Sequence, residues 1–341
     1  MKRFLIKFCI LFVLIDGYIA IYQYYITPCL TGDMGRMGQI MFNKDYYKRI
    51  QQTYSSQKSY VIPIQQTDSI ISDTNNSKPC IFTIGDSFSQ QKEYGYAQYL
   101  GEQLSMEVYN FSRTPIDISA EQHLIKLLNR NELPKQSIVI VESVERIMVG
   151  RLCGLDFQDT AKMEFVVKEK EQPHVLNNAV QYITKSCGKQ QPIHRYSLIA
   201  DLFSHKNKTR QLYIYDSPWD NDGDFRFVER KNEDYDMAYT NLNALHAYSE
   251  AHGIHMLYMI AADKYEVYKP FIISGYRPNN PTLDKLPQEP WVINTKPLMR
   301  SLVAKGVQDV YYINDTHWSP IGAKVAGEEI ANRLVELGFI Q

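Results

Sequence analysis

The 341-residue sequence has no surplus of either charge: 37 Lys and Arg stand against 38 Asp and Glu, with no long block of like sign. A chain balanced in this way lacks the basic footprint that a phosphate backbone requires, so nucleic-acid binding is excluded as its main business. Internal repeats and low-complexity tracts are also missing, which excludes a disordered chain. Metal-ligand spacing is lacking too. Asp220, Asp222 and Asp224 alternate as in a calcium loop, but Phe225 stands where such a loop needs glycine, and a hairpin turning at Asp222-Gly223 is expected instead. His246, His252 and His255 straddle a helix end and a strand, where capping and core roles are the default. Neither a metal nor another cofactor is expected.

What is present is apolar: 44% hydrophobic residues suit one large globular domain, alone or with an accessory piece. The N-terminus, "MKRFLIKFCILFVLIDGYIAIYQYY", sets Lys2, Arg3 and Lys7 before apolar runs at Phe8 to Ile15 and Tyr18 to Tyr22, without small residues at a cleavage site. That order predicts an uncleaved signal anchor over residues 1–24, holding the protein in the inner membrane with its bulk in the periplasm. Asp16 would oppose central insertion by roughly 2.5–3.5 kcal/mol, so a shifted helix or a partner helix is implied. In an oxidising space Cys153 and Cys187 are the expected disulfide, and Cys80 is expected in the core.

Residues 25–79 read as a stalk or N-terminal subdomain, since 46–79 are rich in Gln, Ser, Asn and Tyr. From residue 80 to 341, strand patterns alternate with helix patterns. "CIFTI", "MEVYNF", "SIVIVESV", "IHMLYMI" and "VQDVYYIN" read as strands. Helices are expected at "GYAQYLGEQL", from Ser119 with Gln122 in a capping box, at "MAYTNLNALHAYSEAHG", at "PLMRSLVAKG", and after Ser319-Pro320, the last burying Ile321, Val325, Ile330, Leu334 and Leu337. The fold class is therefore α/β, a three-layer α/β/α arrangement on a parallel sheet, with an insertion at about 150–235.

In such sheets ligands gather beyond the carboxyl ends of the strands. There "GDSFSQQ" delivers Ser87, "NFSR" the next loop, "ERI" and Glu142 the third, "AADKYEVY" Lys264, and "NDTHWSP" Asp315 and His317. A serine hydroxyl needs a base to take its proton, and the base needs a third group to fix its tautomer. Ser87 as nucleophile, His317 as base and Asp315 as its orienting carboxylate meet that need, with a helix N-terminus expected beside Ser87 to favour a developing anion. With 25 tyrosines and three tryptophans a sugar platform is conceivable, and Trp318, beside His317, has the best claim.

"IGDSF" on the first strand and Asp-x-His before the last helix resemble the SGNH hydrolase superfamily. Within it, "DTHWSPIGAKVAGEEIA", "VIVESVERI" and "DKYEVY" resemble the branch containing the periplasmic alginate O-acetyltransferase proteins, over about residues 80–335. The resemblance implies transfer or removal of an acetyl group on an envelope glycan, beside a membrane-bound O-acyltransferase. In the alginate proteins the Asp-x-His pair precedes the serine, whereas here the serine comes first. The superfamily's oxyanion glycine is replaced in "YNFSRTP", which leaves the backbone amide of Ser112 or Arg113 to donate and Asn110 to orient their loop. Its oxyanion asparagine is absent, with Glu142 in that region, and Arg146 is expected to support the sheet edge. The expected activity is a serine-dependent O-acetyltransferase acting on an exported or cell-envelope polysaccharide. The alternatives are a carbohydrate esterase and a non-catalytic assembly protein.

Overall fold

The computed structural model describes residues 44–55, 58–64, 80–111, 118–160, 195–198, 210–213, 231–271, 285–286, 288–313 and 315–340, with seven helical positions between Lys7 and Tyr18. The expected anchor, the Asp222-Gly223 hairpin, and Cys187 with its bridge to Cys153 lie wholly or mostly outside these residues. Among the described residues no helix is long and apolar enough to cross a membrane.

Six parallel strands form the main sheet. They are β1 (Val61–Ile64), β2 (Ile81–Ile84), β3 (Val108–Phe111), β4 (Ile138–Val144), β7 (His255–Ala261) and β8 (Val292–Asn294), in spatial order β1-β3-β2-β4-β7-β8. The antiparallel pair β5 (Arg195–Leu198) and β6 (Arg210–Tyr213) falls within the expected insertion and forms a sheet of its own. β2 and β4 are buried at every position, which is why Ile81, Phe82 and Ile84, and Ile138 to Val141, run together without alternation, with Thr83, Glu142 and Ser143 buried among them. The chain goes from β2 outward to β3, then crosses back to β4 on β2's other side. This reversal opens a crevice at the carboxyl ends of β2 and β4, where Ser87 and Glu145 follow.

Helices cover both faces. α1 (Lys44–Tyr54), α2 (Tyr96–Leu104), α7 (Thr295–Ala304) and α8 (Pro320–Glu336) pack as one group, and α3 (Ala120–Asn129), α4 (Glu145–Cys153) and α5 (Asn232–Ala251) as another. The result is the three-layer α/β/α fold. Both expected N-caps appear, with the Ser119 hydroxyl accepting the Gln122 backbone amide and the Ser319 hydroxyl accepting the Ile321 amide ahead of Pro320, but the capping box is half-formed because Gln122 Nε2 donates to the Asp156 carbonyl at 2.9 Å.

Three elements differ from their sequence reading. Val61–Ile64, read as part of a stalk or N-terminal subdomain, is the sheet's edge strand paired with β3, and α1 packs on α8. Pro63 lacks an amide for the ladder and is tolerated because β1 is an edge. "VQDVYYIN" is not a parallel strand; its region makes one antiparallel bridge, Tyr311 to Trp318, and the sheet's last strand is the three-residue β8. Finally, α8 turns a small-residue face inward. Gly322, Ala323, Ala326, Gly327 and Ala331 are buried with Ile330 and Leu334, while Ile321, Val325 and Leu337 are only half-buried. A Cβ at Gly327 would lie 2.6 Å from the Tyr96 carbonyl oxygen, so α8 and α2 meet backbone to backbone.

Candidate active site

Ser87 begins a 3-10 turn, Ser87–Gln90, immediately beyond β2. Gly85, which precedes it, has no room for a side chain: a Cβ would lie 2.5 Å from Glu142 Oε2 and 2.1 Å from Ser89 Oγ. Through that gap the Asp86 amide donates to Glu142 Oε2 at 2.7 Å, and Ser89 Oγ donates to the same oxygen at 3.0 Å. The Asp86 carboxylate accepts the Val144 amide at 3.1 Å and takes both guanidinium arms of Arg151, at 2.5 and 2.7 Å. The turn is thereby riveted to β4 and α4 by charge-assisted bonds. Burial, and next the Asp86 carboxylate, push the Glu142 carboxyl up to about 8. With Phe88 and Ser89 buried, Ser87 remains exposed.

His317 reaches that serine from the far end of the chain. Its Nε2 lies 2.6 Å from Ser87 Oγ and its Nδ1 2.5 Å from Asp315 Oδ1, the same oxygen that accepts the His317 amide at 3.0 Å. Because Asp315 is buried and occupies the Nδ1 side, Nδ1 carries a proton and Nε2 is left as the acceptor facing Ser87. Phe88 packs against both the imidazole and Trp318, with centroids 4.9 and 4.7 Å away. Gln91 Nε2 donates to the Trp318 carbonyl at 2.8 Å, joining the serine's turn to the histidine's segment.

The structure thus brings Ser87, His317 and Asp315 together and gives other residues different positions. Trp318 is fully buried, sealed by Phe88 and held in the bridge to Tyr311, so its ring offers no face to a sugar. Asn110, also buried, donates to the Ser89 carbonyl at 2.5 Å and so orients the serine's own turn. Ser112 and Arg113 lie outside the described residues. The expected helix N-terminus beside Ser87 is only a short 3-10 turn, since α2 begins at Tyr96. Arg146 pairs with Asp263 at the sheet edge, as expected.

His246 stacks on Trp291 at 4.1 Å, the His252 imidazole meets the Tyr248 carbonyl at 2.8 Å, and His255 stacks on Phe339 at 4.4 Å, which are packing and capping roles. Among the described residues no group of three His, Cys, Asp or Glu is placed to hold a metal.

Arg151 and Gln91 were not singled out from sequence, because one is reached through a helix and the other meets a backbone carbonyl, which no side-chain motif announces. Chemically, the arrangement suits transfer of a serine proton to an oriented imidazole during attack on an acyl carbon. No curated protein and no solved structure matches this chain. One family model does, and it supports an SGNH hydrolase-like acetyltransferase role: residues 230–341, which contain Asp315 and His317 but not Ser87, match the SGNH hydrolase-like domain of acetyltransferase AlgX.

Proposed function

We propose that the protein is a serine-dependent O-acetyltransferase that modifies hydroxyl groups of an exported or cell-envelope polysaccharide outside the cytoplasm. The observation carrying this reading is the unbroken relay from exposed Ser87 Oγ through His317 to buried Asp315, at 2.6 and 2.5 Å. In the first half-reaction Ser87 Oγ attacks the acetyl carbonyl of a donor while its proton passes to His317 Nε2. Collapse of the tetrahedral adduct expels the donor's leaving group, which takes that proton, and an acetyl ester remains on Ser87. In the second, a glycan hydroxyl gives its proton to Nε2 and attacks the ester, and the proton returns to Ser87 as the acetylated glycan departs. Water in place of the glycan gives hydrolysis through the same intermediate.

Location supports transfer. The basic flank and apolar run of residues 1–24 suit an anchor, and Ile10, Leu11 and Leu14 are helical with their apolar side chains exposed. Tethering raises the effective concentration of Ser87 near a membrane-bound O-acyltransferase that supplies the acetyl group. Supplied with an activated acetyl ester and a glycan oligomer, the protein acetylates the oligomer and slowly hydrolyses the ester, with no response to a chelator; mass spectrometry of the oligomer reads the outcome. Deacetylation of acetylated glycan with no transfer would assign it as an esterase, and neither reaction would assign it to assembly. Protease added to spheroplasts degrades the C-terminal domain if the orientation is as proposed; protection until the membrane is broken would reverse it.

A further inference from the structure

The segment carrying the base has almost no ladder to hold it, yet His317 sits within hydrogen-bond distance of Ser87. Two side chains from outside the segment supply what the ladder does not. Lys264, fully buried at the start of α6 (Lys264–Tyr268) just beyond β7, directs Nζ to the carbonyls of Tyr312 at 2.7 Å, Ile313 at 3.0 Å and Asp315 at 3.0 Å. An ammonium has three N–H donors, and these three carbonyls use all of them. Tyr46 approaches from α1. Its hydroxyl donates to Asp309 Oδ1 at 2.9 Å and accepts the Ile313 amide at 3.0 Å, while Tyr47 stacks on Tyr312 with centroids 4.7 Å apart. Ile313 is therefore held by its amide from one side and by its carbonyl from the other.

We infer that Lys264 and Tyr46 are the positioning residues of the base, a clamp that sets Asp315 and His317 against Ser87; the inference rests on the proposed roles of those three residues. Fixing the Asp315 carbonyl fixes the residue whose carboxylate holds both the imidazole and the amide of His317. Lys264 falls inside the matched region 230–341, whereas Tyr46 comes from the N-terminal segment. That segment therefore completes the site.

The test uses the full chain and three substitutions: Lys264→Met, which keeps the length and removes the donors; Tyr46→Phe, which keeps the ring and removes the hydroxyl; and Leu245→Ala, a core truncation on α5 as a control for lost stability. Two readouts are followed beside the melting temperature. One is the rate at which a fluorophosphonate labels Ser87; the other is the downfield proton NMR line of the His317 imidazole N–H, assigned by its absence in His317→Ala. Displacement of a reacting group by about 1 Å lowers rate about 100-fold. Lys264→Met is expected to slow labelling about 100-fold and Tyr46→Phe about tenfold, each weakening the line, while Leu245→Ala lowers the melting temperature and leaves both readouts unchanged. Wild-type labelling with an intact line in Lys264→Met and Tyr46→Phe would overturn the clamp. Should Lys264→Met not fold, Tyr46→Phe decides by the same criteria. If wild-type Ser87 takes no label at all, the proposed function fails, and the NMR line still decides whether the clamp orders the imidazole.

Discussion

Ser87 leaves the centre of a six-stranded parallel sheet, whereas His317 sits on a segment whose strand-like contact is the single bridge from Tyr311 to Trp318. The serine's place follows from backbone topology: β2 is buried between β3 and β4, and the turn beyond it is fastened to β4 through Asp86 and Glu142. The histidine's place follows from side chains that come from distant parts of the chain, Lys264 from beyond β7 and Tyr46 from α1. The comparison teaches that damage to the two halves should look different. Disturbing the serine half should lower stability and activity together; disturbing the base half should separate them.

The largest effect ignores the difference between the halves, because members of the proposed triad act as a unit. Ser87→Ala and His317→Ala should each lower acetyl transfer about 10⁴-fold or more without unfolding the protein, as read by steady-state kinetics beside circular dichroism. Asp315→Asn should fall by about 10⁴-fold through the wrong imidazole tautomer. Unfolding of Ser87→Ala would make this serine structural.

Next in size, Arg151→Met strips the Asp86 carboxylate of its two-armed partner and should reduce unfolding free energy by about 2–3 kcal/mol in urea, with transfer falling in step. Full activity at reduced stability would show that the serine turn does not depend on this rivet.

The pH dependence of the serine half comes third. Glu142 holds its proton in the folded protein up to about 8, against an ordinary value of 4.5, because it is buried and faces Asp86, with Arg151 opposing. Between those values the unfolded chain gives up the proton more readily, so this group's contribution to stability is complete below 4.5 and is lost as pH rises through about 8. His123 has the opposite sense: burial and then Lys126 lower its imidazole from 6.5 to about 3, and stability is lost as pH falls across that range. Glu142→Gln should flatten the alkaline decline in melting temperature and leave the acid decline in place. An unchanged alkaline limb would show that Glu142 is ionised in the folded state.

How far this was legible in the sequence depends on what carries each position. β2, β4 and β7 stand out because burial on both faces makes them mostly apolar without alternation, and Ser319-Pro320 announces α8 through its cap. The grouping of Ser87, Asp315 and His317 was legible from placing polar clusters at the strand ends. β8 escaped because three residues show no period, and "VYYI" misled because its apolar side chains are buried without joining the main sheet: Val310 and Tyr311 in the main core, Tyr312 and Ile313 against Tyr46 and Ile50. The bulky residues of α8 gave only part of its buried face: Ile330 and Leu334 are buried as expected, but Ile321, Val325 and Leu337 are half-buried because the close helix contact selects glycine and alanine. Lys264 was noted at the right edge, but its partners are main-chain carbonyls, and a carbonyl has no letter in the sequence.

The smallest expected effect lies where the halves meet. Gln91→Ala removes the bond to the Trp318 carbonyl and should reduce stability by about 1 kcal/mol, with Ser87 labelling slowed less than tenfold. A loss as large as that of Lys264→Met would mean that the halves are held mainly by each other.

The central claim, that Ser87 carries the acetyl group with His317 as its base, is tested most directly by trapping. Wild-type protein is mixed with an activated acetyl ester, quenched in acid and mapped by peptide mass spectrometry, with His317→Ala alongside. The account predicts one acetyl group on the peptide containing Ser87, formed rapidly in the wild type, discharged on addition of a glycan oligomer, and absent from His317→Ala over the same interval. Turnover of the ester with no acetyl on Ser87, or an acetyl group that forms equally fast without His317, would contradict it.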